Sequence, residues 1–122
     1  MSRFFHDSYA IIEYINGNSK YRKYFTYHEG ITTLYNVMEV YYTTLRIEGE
    51  VKAKRILETL KSITISPSFS DVEDSMKFRL KHKNKKFSYA DCLGYSLAKK
   101  NKMKFLTGDR GFKGIKNVEF VK

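Results

Sequence analysis

Four acidic side chains in this sequence stand where a chain can most easily present them for chemistry. They are Asp7 in FFHDSYAIIEYI, Glu39 in LYNVMEVYY, Asp91 in FSYADCLGYSLA and Asp109 in MKFLTGDRGF. Each has apolar neighbours, and carboxylates are kept out of apolar surroundings unless they are paired or bind a metal. A divalent cation held by oxygen ligands is the simplest agent that ties four of them together. Carboxylate-held metals generate hydroxide and neutralise charge on phosphoryl oxygens, the two requirements of phosphodiester hydrolysis.

The elements that must position these acids follow from the hydropathy pattern. Arg3 to His6 reads as a short strand that stops at Asp7, after which Ser8 can cap a helix with Ile11, Ile12 and Ile15 at helical spacing. Asn16-Gly17-Asn18 ends that helix, and a short helix through Lys20 to Phe25 follows. A longer helix is expected from Leu34 to Ile47, with Leu34, Val37, Met38, Tyr41 and Leu45 forming its core stripe and Glu39 at the margin of that stripe. Gly49 closes it, and Glu50 to Leu60 is a further amphipathic helix. Ser62 to Ser66 alternates and is β-branched, so it reads as a strand ended by Pro67. Ser70-Asp71-Val72-Glu73 has capping-box spacing and is expected to open a helix running into the basic stretch Lys81 to Lys86. The next helix spans Ser88 to Lys100, Lys104 to Thr107 is a strand, and Val118 to Val121 is the last strand.

Strands separated by helices imply an α/β fold: a three-layer α/β/α sandwich around a central, mostly parallel sheet. In such sheets ligands sit beyond the carboxyl ends of the strands. Asp7 and Asp109 each follow a strand directly, so both belong at that edge.

Length and composition set the remaining bounds. The 122 residues suit one domain, 1–122, with no linker or repeat, and 42% apolar residues are enough for one core. No apolar run is long enough to span a bilayer and MSRFFHDS lacks a signal-peptide core, so a cytoplasmic protein is expected. The lone cysteine, Cys92, excludes an internal disulfide. The net charge of +10 is uneven: Lys77 to Lys122 holds fourteen Lys/Arg against three acids, whereas residues 1–76 hold nine against ten. A basic third of this kind suits a polyanion such as nucleic acid, or serves as a solubilising surface.

Each acid also has a local explanation. Ser88-Tyr89-Ala90-Asp91 is itself a capping box, Asp7 can cap the helix after its strand, Asp109 can be a turn residue beside Gly108, and Glu39 can be a solvated helix glutamate. Their order is more telling. Strand-Asp-helix, a mid-chain helix Glu, Ser-Tyr-Ala-Asp at a helix start and strand-Thr-Gly-Asp near the C-terminus together resemble the PIN-domain nuclease family, including the VapC-type toxins. DSYAIIEYINGN is similar to that family's opening, LYNVMEVYY to its second acidic motif, and FSYADCLGYSLAKKNKMKFLTGDRGF to its third and fourth. One departure is visible: the family often has a further acid two positions beyond the fourth motif's Asp, where this chain has Gly111.

The resemblance implies that Asp7, Glu39, Asp91 and Asp109 are the catalytic residues and hold Mg²⁺ or Mn²⁺, with one or two metals left open by Gly111. Thr107 would add a supporting hydroxyl. It further implies an endoribonuclease that acts as the toxin of a toxin-antitoxin pair, with RNA as substrate, a small antitoxin as partner and a homodimer as assembly. Arg110, Lys113, Lys85 and Lys86 are the candidate RNA-binding cations. The alternative is a catalytically inactive PIN-like module that binds RNA or ribosomes. A phosphatase using Asp7 as nucleophile is a poor fit, because the second aspartate needed two positions on is Tyr9.

Overall fold

The computed structural model describes residues 2–122. Five short strands, β1 (Arg3–His6), β2 (Glu29–Thr33), β3 (Thr64–Ile65), β4 (Lys104–Thr107) and β5 (Val118–Phe120), form one sheet in the order β3-β2-β1-β4-β5. Every neighbouring pair is parallel. Six helices connect and cover it: α1 (Ser8–Ile15), α2 (Arg22–Thr26), α3 (Leu34–Glu48), α4 (Glu50–Leu60), α5 (Phe69–Lys81) and α6 (Tyr89–Lys100). The chain winds outward from β1 to β3, then returns to place β4 on the other side of β1. That reversal makes the β1/β4 seam the switch point at which an open parallel sheet leaves a crevice beyond its strand ends.

Successive residues of a strand face opposite sides, and β1 shows both cores at once. Phe5 joins Phe105, Phe112, Cys92, Leu93 and Leu97 under α6, while Phe4 joins Leu106, Ala10, Tyr21 and Tyr24 beneath α1 and α2. A third cluster, Ile11, Val37, Val40 and Leu60, holds α1, α3 and α4 together. Tyr21 and Tyr24 are therefore core residues. No described helix is long and apolar enough to cross a membrane.

Several elements differ from the sequence expectation. β2 lies in Glu-Gly-Ile-Thr-Thr, a stretch with no apolar alternation, and was not expected. Gly30 belongs there because a Cβ would collide with the His6 imidazole lying over it. The capping box of α5 is Ser68 with Asp71, not Ser70 with Glu73, and the helix stops at Lys81. A 3₁₀ turn over Lys83–Lys85 and a left-handed Lys86 then lead the chain to α6.

The largest correction concerns α3. Its buried residues are Asn36, Val37, Val40 and Thr44, while Leu34, Met38 and Leu45, expected in the core, are 60%, 58% and 39% exposed. Val37 of the expected stripe is buried, but Leu34, Met38 and Leu45 face outward, joined on the surface by Tyr35, Tyr42 and Ile47.

Candidate metal centre

The end of β1 carries Asp7 into the N-cap position of α1, where its side chain makes no capping bond to the helix. Instead the Thr107 hydroxyl donates to Asp7 Oδ2 at 2.7 Å, and the Asp109 N–H donates to Thr107 Oγ1 at 3.1 Å. Thr107 thus joins the β1 end, the β4 end and the following loop through one oxygen. The Asp7 N–H continues the sheet by donating to the Leu106 carbonyl at 3.1 Å. These bonds fix the Asp7 carboxylate at the switch point, 3% exposed.

Asp91 is brought to the same edge by the N-terminus of α6. The Ser88 N–H donates to Asp91 Oδ2 at 3.0 Å, and the Asp91 N–H donates to Ser88 Oγ at 3.0 Å. The box occupies Asp91 Oδ2, so capping is compatible with a further role for the carboxylate. Asp109 begins the 3₁₀ turn Arg110–Phe112, and its Oδ1 accepts the Gly111 N–H at 3.0 Å. Glu39 projects from α3 at the open side of the group and is exposed.

Electrostatics shows that the four sense one another. Burial first, and then the charge of Asp91, push the Asp7 carboxyl up to about 7 despite the Thr107 bond, with Glu39 adding to the rise. Although Glu39 is exposed as a residue, partial desolvation of its carboxyl and then the charge of Asp91 raise it, against the lowering effect of the Ser8 hydroxyl. Asp91 is raised by burial and by Asp109, against its bonds from Ser88. Among the described residues none of the four forms an ion pair with Lys or Arg, in a chain with 23 such cations. Like charges held together without a counter-ion favour either protonation or a bound cation.

The donor set fits a hard divalent cation, since it is all oxygen and its negative charge is uncompensated. Among the described residues no three acidic, His or Cys side chains close into a ready-made coordination shell. Mg²⁺ suits such an open set, because it keeps several waters and takes only one or two carboxylates directly.

A second polar chain, absent from the sequence reading, supports the site from α3. The Thr33 hydroxyl donates to Asn36 Oδ1 at 2.7 Å, and Asn36 Nδ2 donates to Ser8 Oγ at 2.9 Å. All three residues are buried. The available signal was Asn36 itself, a polar residue in an apolar run three positions before Glu39. His6 takes no part in this chain: its ring stacks on Phe25 at 4.2 Å, Nδ1 has no partner, and burial pushes its pKa down to about 4. Of the expected RNA-binding cations, Arg110 and Lys113 lie beside Asp109, and Lys85 and Lys86 lie in the loop before α6, all exposed.

Gly111 accounts for the missing fifth acid in packing terms. A Cβ there would stand 2.9 Å from Phe87 Cε1, and Phe87 is buried against Phe112 with ring centroids 4.1 Å apart.

A family profile for the PIN domain matches residues 4–118, nearly the whole chain. The chain belongs to the PIN-domain family. Solved structures agree on the PIN fold. A toxin-antitoxin complex from Klebsiella pneumoniae aligns with TM-score 0.76 at 20% identity, covering 98% of this chain and 96% of that one. Mycobacterium tuberculosis VapC20, described as a Sarcin-Ricin loop cleaving toxin, aligns with TM-score 0.76 at 13% identity, covering 98% and 99%. DNA-bound VapBC from Salmonella typhimurium aligns with TM-score 0.74 at 16% identity, covering 99% and 98%. No curated protein sequence matches this PIN domain.

Proposed function

We propose that this PIN domain is a Mg²⁺- or Mn²⁺-dependent endoribonuclease and the toxin of a toxin-antitoxin pair. The observation that carries this reading is the uncompensated cluster of Asp7, Glu39, Asp91 and Asp109 at the sheet's switch point in a basic protein. Family membership supports it, since PIN domains are typically nucleases, and so does likeness in fold to VapC toxins.

In this reading Asp7, Glu39, Asp91 and Asp109 would hold the metal between them, directly or through water. A metal bound there supplies hydroxide at neutral pH and offsets charge on the phosphoryl oxygens. Thr107 orients Asp7 by its 2.7 Å bond, Ser88 orients Asp91, and the Thr33-Asn36-Ser8 chain holds the Ser8 hydroxyl that acts on Glu39. The basic C-terminal third draws RNA to this edge, with Arg110, Lys113, Lys85 and Lys86 on the approach.

The outward apolar stripe of α3 supports the remaining assignments. Leu34, Met38, Tyr42 and Leu45 form a surface suited to burial in a homodimer or under a small antitoxin. The protein acts in the cytoplasm in this reading.

The deciding experiment is cleavage of defined RNAs across a Mg²⁺ and Mn²⁺ series. Activity that EDTA stops and Asp91→Asn abolishes is expected. Full activity in Asp91→Asn sinks the proposal, and metal-independent RNA binding without turnover replaces it with an inactive binding module.

A further inference from the structure

Most cations that the fold holds in place are matched by acids: Lys100 by Asp71 and Lys104 by Glu119, for example. Two at the acidic edge are held by neutral groups instead. Lys122 Nζ donates to the Tyr9 hydroxyl at 2.9 Å and to the Gly108 carbonyl at 3.3 Å, and lies 5.0 Å from the centre of the Tyr9 ring. Arg79 Nε donates to the Phe87 carbonyl at 3.0 Å, and its guanidinium lies 4.5 Å from the centre of the Tyr89 ring. Neither cation forms an ion pair among the described residues.

Both pairs adjoin the carboxylates in sequence and in space. Tyr9 follows Asp7 by two positions, and its ring lies against Gly108, the residue before Asp109. Tyr89 precedes Asp91 by two and is 67% exposed. They also lie on opposite faces of the sheet. Tyr9 packs with Phe4 and Leu106, while α6, which begins at Tyr89, covers Phe5 and Phe105. The carboxyl edge of the sheet therefore carries the acids with one such pair on the α1 side and the other on the α6 side.

A cation already held by its neighbours loses little freedom when it takes a phosphate. Having no carboxylate partner, it also has no ion pair to break. An exposed tyrosine ring offers a base a stacking surface only if that base is free of a duplex. We propose that Lys122 on Tyr9 and Arg79 on Tyr89 are two grips that seat a single-stranded polyribonucleotide across the four carboxylates, with Tyr89 stacking on an unpaired base. This inference rests on the ribonuclease reading and goes beyond it by assigning the two residue pairs that position the strand.

The test separates binding from cleavage. Binding of a fluorescent ten-nucleotide single-stranded RNA, and of the same strand in a duplex, is measured on the Asp91→Asn chain across a salt series; cleavage is measured on the otherwise native chain. Lys122→Gln is expected to weaken single-strand binding about fivefold and reduce the salt slope by about one. Tyr89→Ala is expected to weaken single-strand binding about fivefold, with duplex binding unchanged and Tyr89→Phe restoring it. Arg79→Gln is expected to match Lys122→Gln; if it does not fold, the two exposed positions decide. In cleavage the same variants raise KM and leave kcat within about twofold.

Unchanged affinity and salt slope in both Lys122→Gln and Tyr89→Ala overturn the proposal. So does a Tyr89→Ala chain that loses only self-association, measured by sedimentation, while its RNA affinity holds. Failure of the native chain to cleave any RNA would count against the ribonuclease reading alone, because the grips are read by binding.

Discussion

Two consecutive helices of this PIN domain open with the same device, Ser68 to Asp71 at α5 and Ser88 to Asp91 at α6, and the two aspartates end in opposite electrostatic states. Both are complete capping boxes. At Asp71 burial alone would raise the carboxyl, but bonds from Ser68 and from Lys100 Nζ at 2.9 Å outweigh it and hold the pKa below its ordinary value. At Asp91 burial and the charge of Asp109 prevail over the bonds from Ser88, and the carboxyl is held above its ordinary value. The local motif is shared, so the motif does not identify function. What separates the two aspartates is the counter-ion, present at Asp71 and, among the described residues, missing at Asp91.

The comparison is broken most sharply by exchanging the loss between the two helices. Asp91→Asn is expected to reduce RNA cleavage by at least about 100-fold with little change in melting temperature, since the amide oxygen can still accept from Ser88. Asp71→Asn is expected to leave cleavage within about twofold and cost about 1 kcal/mol, discounted because Lys100 is half exposed. Thermal melts and a single cleavage assay on both variants check this. Equal losses of activity would remove the distinction.

Thr107→Val comes next. It removes the hydroxyl that holds Asp7 Oδ2 and is expected to weaken Mn²⁺ affinity about tenfold, read by titration calorimetry.

The pH dependence of stability sharpens the contrast further. The folded-state pKa of Asp7, about 7, lies above the ordinary value of 3.8, so its protonation favours the fold. That contribution is full below about pH 4 and is lost as pH rises through about 7. His6, pushed down to about 4, acts in the opposite sense: its contribution is full above about pH 6.5 and is lost as pH falls through about 4. Comparing native protein with Asp7→Asn isolates the Asp7 part. Without divalent metal at pH 7.5 the variant is expected to melt about 5 °C higher, and the gap should close at pH 4. Adding Mn²⁺ should raise the native melting point at pH 7.5 and leave that of Asp7→Asn nearly unchanged.

The smallest effect belongs to Lys100→Gln. Loss of this half-exposed partner of Asp71 is expected to cost under about 1 kcal/mol in denaturant unfolding, with no change in cleavage.

The sequence made some of this architecture readable and hid the rest for physical reasons. Asp7 and Asp109 were placed at the sheet edge because each directly follows an apolar strand. The α6 capping box was visible because its partners are three residues apart. β2 was not, because Gly30 and two threonines carry no alternation and the strand is recognisable only once His6 is seen to need the space above Gly30. Val37 is in the core as the α3 stripe predicts, but Leu34, Met38 and Leu45 are not, because an apolar stripe reads the same whether it meets the chain's own core or a partner. The buried face of that helix carries Asn36 and Thr44 beside Val37 and Val40. The Thr33-Asn36-Ser8 chain joins residues 28 positions apart, a separation that local spacing does not reveal.

The contact between Gly111 and Phe87 bears on how such a centre can change. An aspartate or glutamate at position 111 would bring a further oxygen donor beside Asp109, but its Cβ must first displace a ring packed against Phe112. A single substitution therefore sets a gain in cation binding against damage to the core. A side chain at position 111 is accommodated with less disturbance if Phe87 is made smaller at the same time. The room for a further acid beside Asp109 is thus limited by a buried ring of the hydrophobic interior.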